Sequence, residues 1–152
     1  MENAFDRAKH SFLFSVLHYF GFSHAFINLI KACIDKPWIA PLVNGRPTNF
    51  FQATRGLRRG CPLLLFLYIL MVDSLSRKLT IGKFEGFIPG ISSAVGVEAI
   101  NHALFVDDTL LLGGSSLNLA RDFSEIMHQF RIISGALINK SKSVVFRWNV
   151  DQ

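Results

Sequence analysis

The 152-residue sequence is long enough for one folded domain, and half of its residues are hydrophobic, so it can bury a core. Only 18% of the residues are charged and 15 are Phe, which is typical of a segment that leaves apolar surface for the rest of a larger protein. The formal net charge of +5 permits a polyanionic partner.

Cysteine usage and the N-terminal residues indicate an intracellular protein. Cys33 and Cys61 have neither a metal-type spacing nor the number needed for a disulfide framework. The acidic residues Glu2 and Asp6 do not suit a signal peptide. The longest apolar run, Pro62–Val72, is shorter than the roughly 20 residues that cross a bilayer, so we expect no membrane partner.

Two amphipathic helices are predicted at the start of the chain. Apolar residues recur at helical spacing from Ala4 to Tyr19, and Gly21 ends that helix. Ser23 predicts the N-cap of a second helix that reaches about Cys33. Three histidines fall in this region, His10, His18 and His24. Because they form no helical pair with a carboxylate, we interpret them as solvated or hydrogen-bonded rather than metal ligands.

A hairpin and a basic loop follow. Asn44-Gly45 supplies the positive-φ residues that a two-residue loop requires, between extended runs over 38–43 and 46–53. Pro41 and Pro47 indicate edge strands. The loop over 54–61 contains three arginines and two glycines before a helix over Pro62–Leu79. Such a loop at a helix N-terminus predicts a phosphate-binding site, and a solvated basic loop is an equal alternative.

The predicted helix over 62–79 is apolar nearly all round up to Asp73, which indicates that most of it is buried. The glycine-rich stretch over 80–100 predicts short strands and turns. Residues 113–116 break the chain and cap a helix from Leu117 to Ile133, which Ser134-Gly135 ends. Val144–Trp148 predicts a last strand.

Asp107 and Asp108 lie side by side between two apolar runs, Ala103–Val106 and Thr109–Leu112, each about one strand long. The runs predict a tight hairpin with Asp-Asp at its tip. Two adjacent carboxylates repel each other unless a divalent cation such as Mg²⁺ binds their oxygens. The pair therefore predicts a metal site, and a polar turn is the alternative that the pair alone leaves open.

The order of these elements resembles the reverse transcriptase domain of LINE-type (non-LTR) retrotransposons, particularly the plant elements. The segment over 55–62 is similar to the family's Arg-Gly-Leu-Arg-Gln-Gly-Asp-Pro motif, and 105–108 is similar to its Phe/Tyr-X-Asp-Asp motif. Five regions in the family's order carry the resemblance: Met1–Asp6, Phe22–Cys33 with 43–45, Arg55–Pro62, Phe105–Asp108, and Ser134-Gly135 with Asn139 and Lys142.

The resemblance implies an α+β fold like the polymerase palm, with helices packed on one face of a small antiparallel sheet. It implies one partial domain over residues 1–152, without the fingers and thumb regions. The ancestral activity would be RNA-directed DNA synthesis by two-metal nucleotidyl transfer with Mg²⁺. The implied partners are an RNA template, a DNA primer and deoxynucleotides.

The same resemblance assigns roles to individual residues. Asp107 would ligate metal directly with Asp108 in support, and both would be catalytic. Lys142 corresponds to a catalytic lysine that neutralises or protonates the leaving pyrophosphate. Phe5 corresponds to an aromatic gate against the ribose 2′-hydroxyl. The remaining implied nucleotide and template residues are Arg55, Arg58, Gly60 and Phe105.

Departures from the family pattern predict lost activity. The family's Gln is Arg59 here, its Asp is Cys61, and its Ser-Pro is Leu64-Leu65. The family's first metal-binding Asp stands immediately before the position of Met1. We therefore expect a degenerate fragment without polymerase activity on its own. Two alternatives are a nucleic-acid-binding module without chemistry, which uses arginines 55, 58 and 59 with Lys142, and a relic that folds poorly.

Overall fold

A computed structural model describes residues 4–53, 56 and 62–147 of the chain. Five α-helices, six short strands and one 3₁₀ turn lie within these ranges. In chain order they are α1 Ala4–Arg7, α2 His10–Tyr19, α3 His24–Ile34, β1 Trp38–Ile39, β2 Leu42–Val43, β3 Arg46–Pro47, β4 Phe51–Gln52, α4 Pro62–Phe84, β5 His102–Phe105, β6 Asp108–Leu111, α5 Leu117–Ser134 and the 3₁₀ turn Lys140–Lys142. None of these helices is both long and apolar enough to cross a membrane.

Helix α4 lies at the centre of the core, because it contributes buried residues to two hydrophobic clusters. Toward its N-terminal end, Leu67 and Met71 pack with α2 and α3. Toward its C-terminal end, Leu75 and Leu79 pack with α5. Phe12 of α2 contacts both clusters and so joins them. The helices therefore share one continuous hydrophobic core around α4.

The prediction that α4 is buried on nearly all sides up to Asp73 is only partly right. Helices α2 and α5 pack on α4, and α3 shares a core cluster with it, whereas Leu65, Phe66 and Ile69 of α4 are exposed. The helix also continues to Phe84, five residues beyond its predicted end. Beyond it, residues 85–100 form turns and one isolated bridge between Ile91 and Ile100.

The predicted N-terminal helix is broken into two at Ala8 and Lys9. The Lys9 N–H donates to the carbonyl of Ser134 over 2.9 Å, and the Ala8 carbonyl accepts from the N–H of Gly56 over 2.9 Å. These distant partners satisfy backbone groups that a continuous helix would pair internally. The break therefore has a tertiary cause that helical periodicity cannot show.

The two predicted serine N-caps and the predicted stop at Gly135 are confirmed. The Ser23 hydroxyl accepts from the Phe26 N–H at the start of α3, and Ser116 caps α5 in the same way through the Leu119 N–H. Gly135 follows α5 with φ +82°, the left-handed conformation that glycine adopts without a Cβ clash.

The strands form three separate two-stranded antiparallel sheets within the described residues, β1–β4, β2–β3 and β5–β6. The α+β class is thus observed, but the single small sheet that was expected is not. The Asn44-Gly45 hairpin loop is confirmed, with φ +51° and +76°. Residues 144–147 are exposed and form no strand, contrary to prediction, and Trp148 lies outside the described residues.

Candidate active-site hairpin

The β5–β6 hairpin carries the paired carboxylates. Its register pairs Phe105 with Asp108, so the two loop residues are Val106 and Asp107. The predicted Asp-Asp tip is therefore wrong by one residue, because Asp108 already belongs to β6. Asp107 in the loop is half-buried, whereas Asp108, the first residue of β6, is exposed. The two carboxylates lie together in sequence but in different environments.

Asp107 lies close to Tyr68 on helix α4. Tyr68 is only 4% exposed, and this burial is the main reason that its pKa is raised to about 12. The negative charge of Asp107 raises it further, because it opposes a second negative charge on the phenol. The half-buried carboxylate of Asp107 therefore stands on the side of the hairpin that faces α4.

Val106 holds the loop in a strained conformation. Its φ is +51°, a region that β-branched residues rarely adopt and that costs roughly 1–2 kcal/mol relative to a right-handed conformation. Such strain persists only where the surrounding structure enforces it, and it concentrates at functional sites. The strain lies next to Asp107, so the fold fixes this carboxylate at an energetic cost.

A groove of about 530 Å³ runs between α4 and β5 beside the loop. Its wall from α4 is mainly apolar, and Asp73 and Ser76 add polar atoms. Its lining residues are Leu65, Tyr68, Ile69, Val72, Asp73, Ser76, His102, Ala103, Leu104 and Val106. The groove therefore connects the exposed side of α4 to the loop that carries Asp107.

A partly buried polar cluster lies at the base of the hairpin. His102 places Nε2 2.7 Å from the Ser76 hydroxyl oxygen and Nδ1 2.7 Å from the Asn101 side-chain oxygen. Burial, and secondly the positive charge of Lys83, lower the pKa of His102 below its usual 6.5. The neutral imidazole is thus the favoured form where β5 meets α4.

Three of the regions that carry the family resemblance meet around residues 6–10. His10 Nε2 lies 2.8 Å from the Gly56 carbonyl oxygen, and Arg7 Nε donates to the Gly135 carbonyl over 3.3 Å. A Cβ on Gly56, at φ +93°, would stand 2.8 Å from the Asp6 carbonyl oxygen. The glycine of the basic loop is therefore required where the chain passes α1 closely.

The structure locates some of the predicted site residues and leaves others outside the described part. Phe105 is 78% exposed beside the hairpin loop. Lys142 is exposed in the 3₁₀ turn, where the Asn139 side chain accepts from its N–H. Arg55, Arg58, Gly60 and the side chain of Phe5 lie outside the described residues, as do Arg59 and Cys61.

Sequence reasoning missed Tyr68, Asn101, His102 and Ser76. A signal was available for some of them. Tyr68 is the one polar-tipped aromatic in the apolar run that forms the first half of α4, and Asn101-His102 directly precedes the apolar run of β5. Their role depends on contacts between separate elements, such as that of Ser76 with His102, 26 positions apart, and periodicity carries no information on these.

The donor chemistry of the hairpin suits a hard divalent cation, because both candidate ligands are carboxylates. Within the described ranges, however, no group of three or more His, Cys, Asp or Glu side chains is arranged to hold a metal ion. The described residues thus contribute two carboxylates and do not by themselves form a complete metal site.

Comparison with known families identifies the class of protein. The model of the family "Reverse transcriptase (RNA-dependent DNA polymerase)" matches residues 1–151. The chain belongs to the reverse transcriptase family, which confirms the family that the motif order indicated.

The chain is similar to parts of three other proteins. It is 40% identical over 68 residues to an uncharacterized mitochondrial protein of Arabidopsis thaliana, covering 45% of this chain and 56% of that protein. It is 29% identical over 145 residues to a retrovirus-related Pol polyprotein from type-1 retrotransposable element R2 of Popillia japonica, covering 95% and 19%. It is 27% identical over 146 residues to the transposon TX1 uncharacterized 149 kDa protein of Xenopus laevis, covering 93% and 10%.

These matches place the chain among the proteins of retrotransposable elements of the non-LTR kind. The chain spans just over half of the first of these relatives and a fifth or less of the other two. It therefore corresponds to a fragment of a reverse transcriptase.

Proposed function

We propose that the chain is the palm-like part of a non-LTR reverse transcriptase, one partial domain over 1–152, whose β5–β6 hairpin presents Asp107 and Asp108 to divalent cations. The observation that carries the proposal is the position of Asp107, half-buried against α4 in a strained hairpin loop of a reverse transcriptase chain. A turn with a purely structural role gains nothing from backbone strain beside a charged residue. A metal-binding carboxylate must be held in one position, and strain enforced by the fold is compatible with that role.

Each residue of the hairpin would contribute a distinct step. In the ancestral polymerase Asp107 and Asp108 would hold Mg²⁺, which would supply activation of the primer 3′-hydroxyl and stabilisation of charge on the transferring phosphoryl group. Asp107 would ligate the cation on the α4 side, where Tyr68 and the apolar wall limit access of water. Asp108, exposed at the start of β6, would support it from solvent. The exposed ring of Phe105 would stack on a nucleotide.

Lys142 would bind a phosphate group rather than a carboxylate of the chain. Its 3₁₀ turn is ordered by Asn139, whose side-chain oxygen accepts from the N–H groups of Ser141 and Lys142. This cap leaves Lys140 and Lys142 exposed on the same short turn. Template RNA, primer DNA and the pyrophosphate of an incoming deoxynucleotide all offer such phosphates.

We further propose that the chain binds a primer–template without extending it. The family residues replaced by Arg59, Cys61 and Leu64-Leu65 carry this part of the proposal. Leu64 is buried in the core with α2 and α3, so this position now serves packing. Loss of several site residues together lowers turnover by orders of magnitude in enzymes whose groups act as a unit.

The test is the Mg²⁺ dependence of binding to an RNA template annealed to a recessed DNA primer, followed by fluorescence anisotropy. Mg²⁺ should strengthen binding by the wild-type chain and by the control variant Asp122→Asn on α5, and it should not strengthen binding by Asp107→Asn. Equal Mg²⁺ dependence in all three chains would contradict a cation role for Asp107. In primer extension with four deoxynucleotides we expect no product, and template-dependent extension would overturn the proposed inactivity.

A nucleic-acid-binding module without chemistry is the second candidate function. The net charge of +5 and the ordered, exposed turn with Lys140 and Lys142 favour it. It predicts RNA binding that weakens steeply with salt, because bound phosphates release counterions when lysines replace them. It also predicts that Asp107→Asn leaves binding unchanged with and without Mg²⁺, which separates it from the first proposal.

A further inference from the structure

The polar cluster at the base of the hairpin has one consistent hydrogen-bond pattern. The Asn101 side-chain nitrogen lies 2.7 Å from the Leu79 carbonyl oxygen and 3.3 Å from the Ile88 carbonyl oxygen. Carbonyl oxygens only accept, so the amide nitrogen must point toward them and donate. The side-chain oxygen of Asn101 must therefore face His102.

This orientation fixes the tautomer of His102. Nδ1 lies 2.7 Å from the Asn101 oxygen, which only accepts, so Nδ1 carries the hydrogen and donates. In the neutral ring Nε2 then accepts, and the Ser76 hydroxyl donates to it over 2.7 Å. The chain of hydrogen bonds thus runs from Ser76 through His102 and Asn101 to the carbonyls of Leu79 and Ile88.

The charged neighbours of the cluster keep this arrangement in place. Lys83 on α4 lies near enough for its charge to oppose protonation of His102. Its ammonium group is itself paired with Glu98 and donates to the Ala99 carbonyl. Asp73 lines the same groove from α4, one turn before Ser76. A proton on His102 would require the Ser76 hydroxyl to reverse its direction.

The cluster helps to determine where the hairpin stands on α4, together with the apolar contacts of Leu104 and Leu111. A lone two-stranded hairpin is marginal in water and needs packing to hold it. From β5, Leu104 packs on the cluster of α2, α3 and α4, and His102 bonds to Ser76. On the return strand, the Leu112 N–H donates to the Asn101 carbonyl over 2.9 Å. Both strands are therefore tied to α4 at their base.

We propose that His102 is a positioning residue, whose neutral ring, bonded to Ser76 and Asn101, fixes the hairpin on α4 and so sets the place of the Asp107 carboxylate beside Tyr68. The proposal deepens the proposed function, since Asp107 is the carboxylate offered to the cation. Its structural part is independent of that function, because the distance between Asp107 and Tyr68 can be followed without metal.

The experiment uses the full chain labelled with 3-fluorotyrosine and observed by ¹⁹F NMR. The chain has two tyrosines, and Tyr19→Phe identifies the signal of Tyr68. Asp107→Asn measures how far that signal moves when the neighbouring charge is lost. Ser76→Ala then removes only the hydroxyl that donates to His102. Ser74→Ala is the matched control on the same helix, since the Ser74 hydroxyl donates to the Met71 carbonyl instead.

We expect Ser76→Ala to move the Tyr68 signal by a measurable part of the shift caused by Asp107→Asn. Ser76→Thr, which keeps the hydroxyl, should restore the wild-type position, and Ser74→Ala should not move the signal. ¹⁵N spectra of the imidazole should show hydrogen on Nδ1. A Tyr68 signal unmoved by Ser76→Ala or by Asp107→Asn, or hydrogen on Nε2 at neutral pH, would overturn the proposal.

Addition of Mn²⁺ separates this proposal from the proposed function. Paramagnetic broadening of the Tyr68 signal should appear in the wild-type chain, and its apparent affinity should fall about tenfold in Ser76→Ala, the lower range for loss of supporting hydrogen bonds around a metal site. If Mn²⁺ broadens nothing in the wild-type chain, the cation role of Asp107 fails. The positioning role is then decided by the metal-free shifts alone.

Discussion

Two hairpin loops in the described part of the chain have the same length and begin with nearly the same backbone angle. Asn44 and Val106 are both at φ +51°. Asn44 is followed by Gly45 at φ +76°, and both residue types adopt positive φ at low cost. Val106 is β-branched and resists that angle. The first loop is thus determined by its own residues, whereas the second must be determined by its surroundings.

The surroundings of the two hairpins differ accordingly. Every residue of β1, β2, β3 and β4 is exposed, so the Asn44-Gly45 region is supported mainly by its own backbone hydrogen bonds. The β5–β6 hairpin alternates between half-buried and exposed residues and is tied to α4 at its base. Tertiary contacts therefore hold the site hairpin in a conformation that its sequence opposes.

The largest expected effect is the loss of the tie at the base of the site hairpin. Asn101 is 3% exposed, and Asn101→Ala would leave the carbonyls of Leu79 and Ile88 without this donor. Burying an unsatisfied polar group costs about 1–3 kcal/mol, so we expect the free energy of unfolding to fall by about 2–3 kcal/mol in urea titrations. Asn118→Ala, at an exposed position of α5, should change it by less than about 0.5 kcal/mol. Similar losses in both variants would contradict the importance of the tie.

The next effect concerns the loop that its own residues determine. A Cβ on Gly45 meets nothing within 4 Å, so Gly45→Val would add only backbone strain, about 1–2 kcal/mol. Because this hairpin is exposed, we expect the strain to open it locally. Hydrogen exchange should speed up at the amides of Val43 and Arg46 and stay unchanged in α4. Faster exchange in α4 as well would show that the two regions unfold together.

Relief of backbone strain in the β5–β6 loop should increase the free energy of unfolding rather than decrease it. Val106→Gly removes roughly 1–2 kcal/mol of strain and adds the backbone entropy cost of glycine, about 0.5–1 kcal/mol, so we expect a gain in unfolding free energy near 0.5 kcal/mol. Val95→Gly, at a fully exposed residue without positive φ, should lose about 0.5–1 kcal/mol. Thermal melts of the two variants should thus shift in opposite directions. A loss of stability in Val106→Gly equal to that in Val95→Gly would contradict the strain.

Local chemistry explains which features were predictable from the sequence. The caps Ser23 and Ser116, the stop at Gly135 and the Asn44-Gly45 loop each depend on neighbouring residues, and each was predicted. The site hairpin was also predicted, but its loop was placed one residue late. No neighbouring residue favours a positive φ for valine, so the sequence did not predict that Val106 lies in the loop.

The break between α1 and α2 was missed for the same reason. Its cause lies in two hydrogen bonds: the Ala8 carbonyl accepts from Gly56, 48 residues away along the chain, and the Lys9 N–H donates to Ser134, 125 residues away. The electrostatic interaction of Asp107 with Tyr68 likewise joins segments that are distant in the sequence. The family was therefore predictable from the sequence, whereas the interactions that surround Asp107 required the fold.

The smallest expected effect is the pH dependence that His102 adds at the base of the site hairpin. Burial, and secondly Lys83, lower the pKa of His102 in the folded chain below 6.5, while the unfolded chain keeps the ordinary value. As the pH falls through 6.5 the unfolded chain binds the proton first, so stability decreases until the pH passes the folded pKa. Above 6.5 both states are neutral and the contribution is constant.

The urea midpoint should therefore fall more between pH 7.5 and 5 in the wild-type chain than in His102→Gln. The variant keeps the other four histidines, so the difference between the two chains reports the titration of His102 alone. Lys83→Met should narrow the pH range of the decrease, because one cause of the lowered pKa is removed, and Lys78→Met on the exposed side of the same helix should not. A wild-type profile identical to that of His102→Gln would show that protonation of His102 is not coupled to the hairpin.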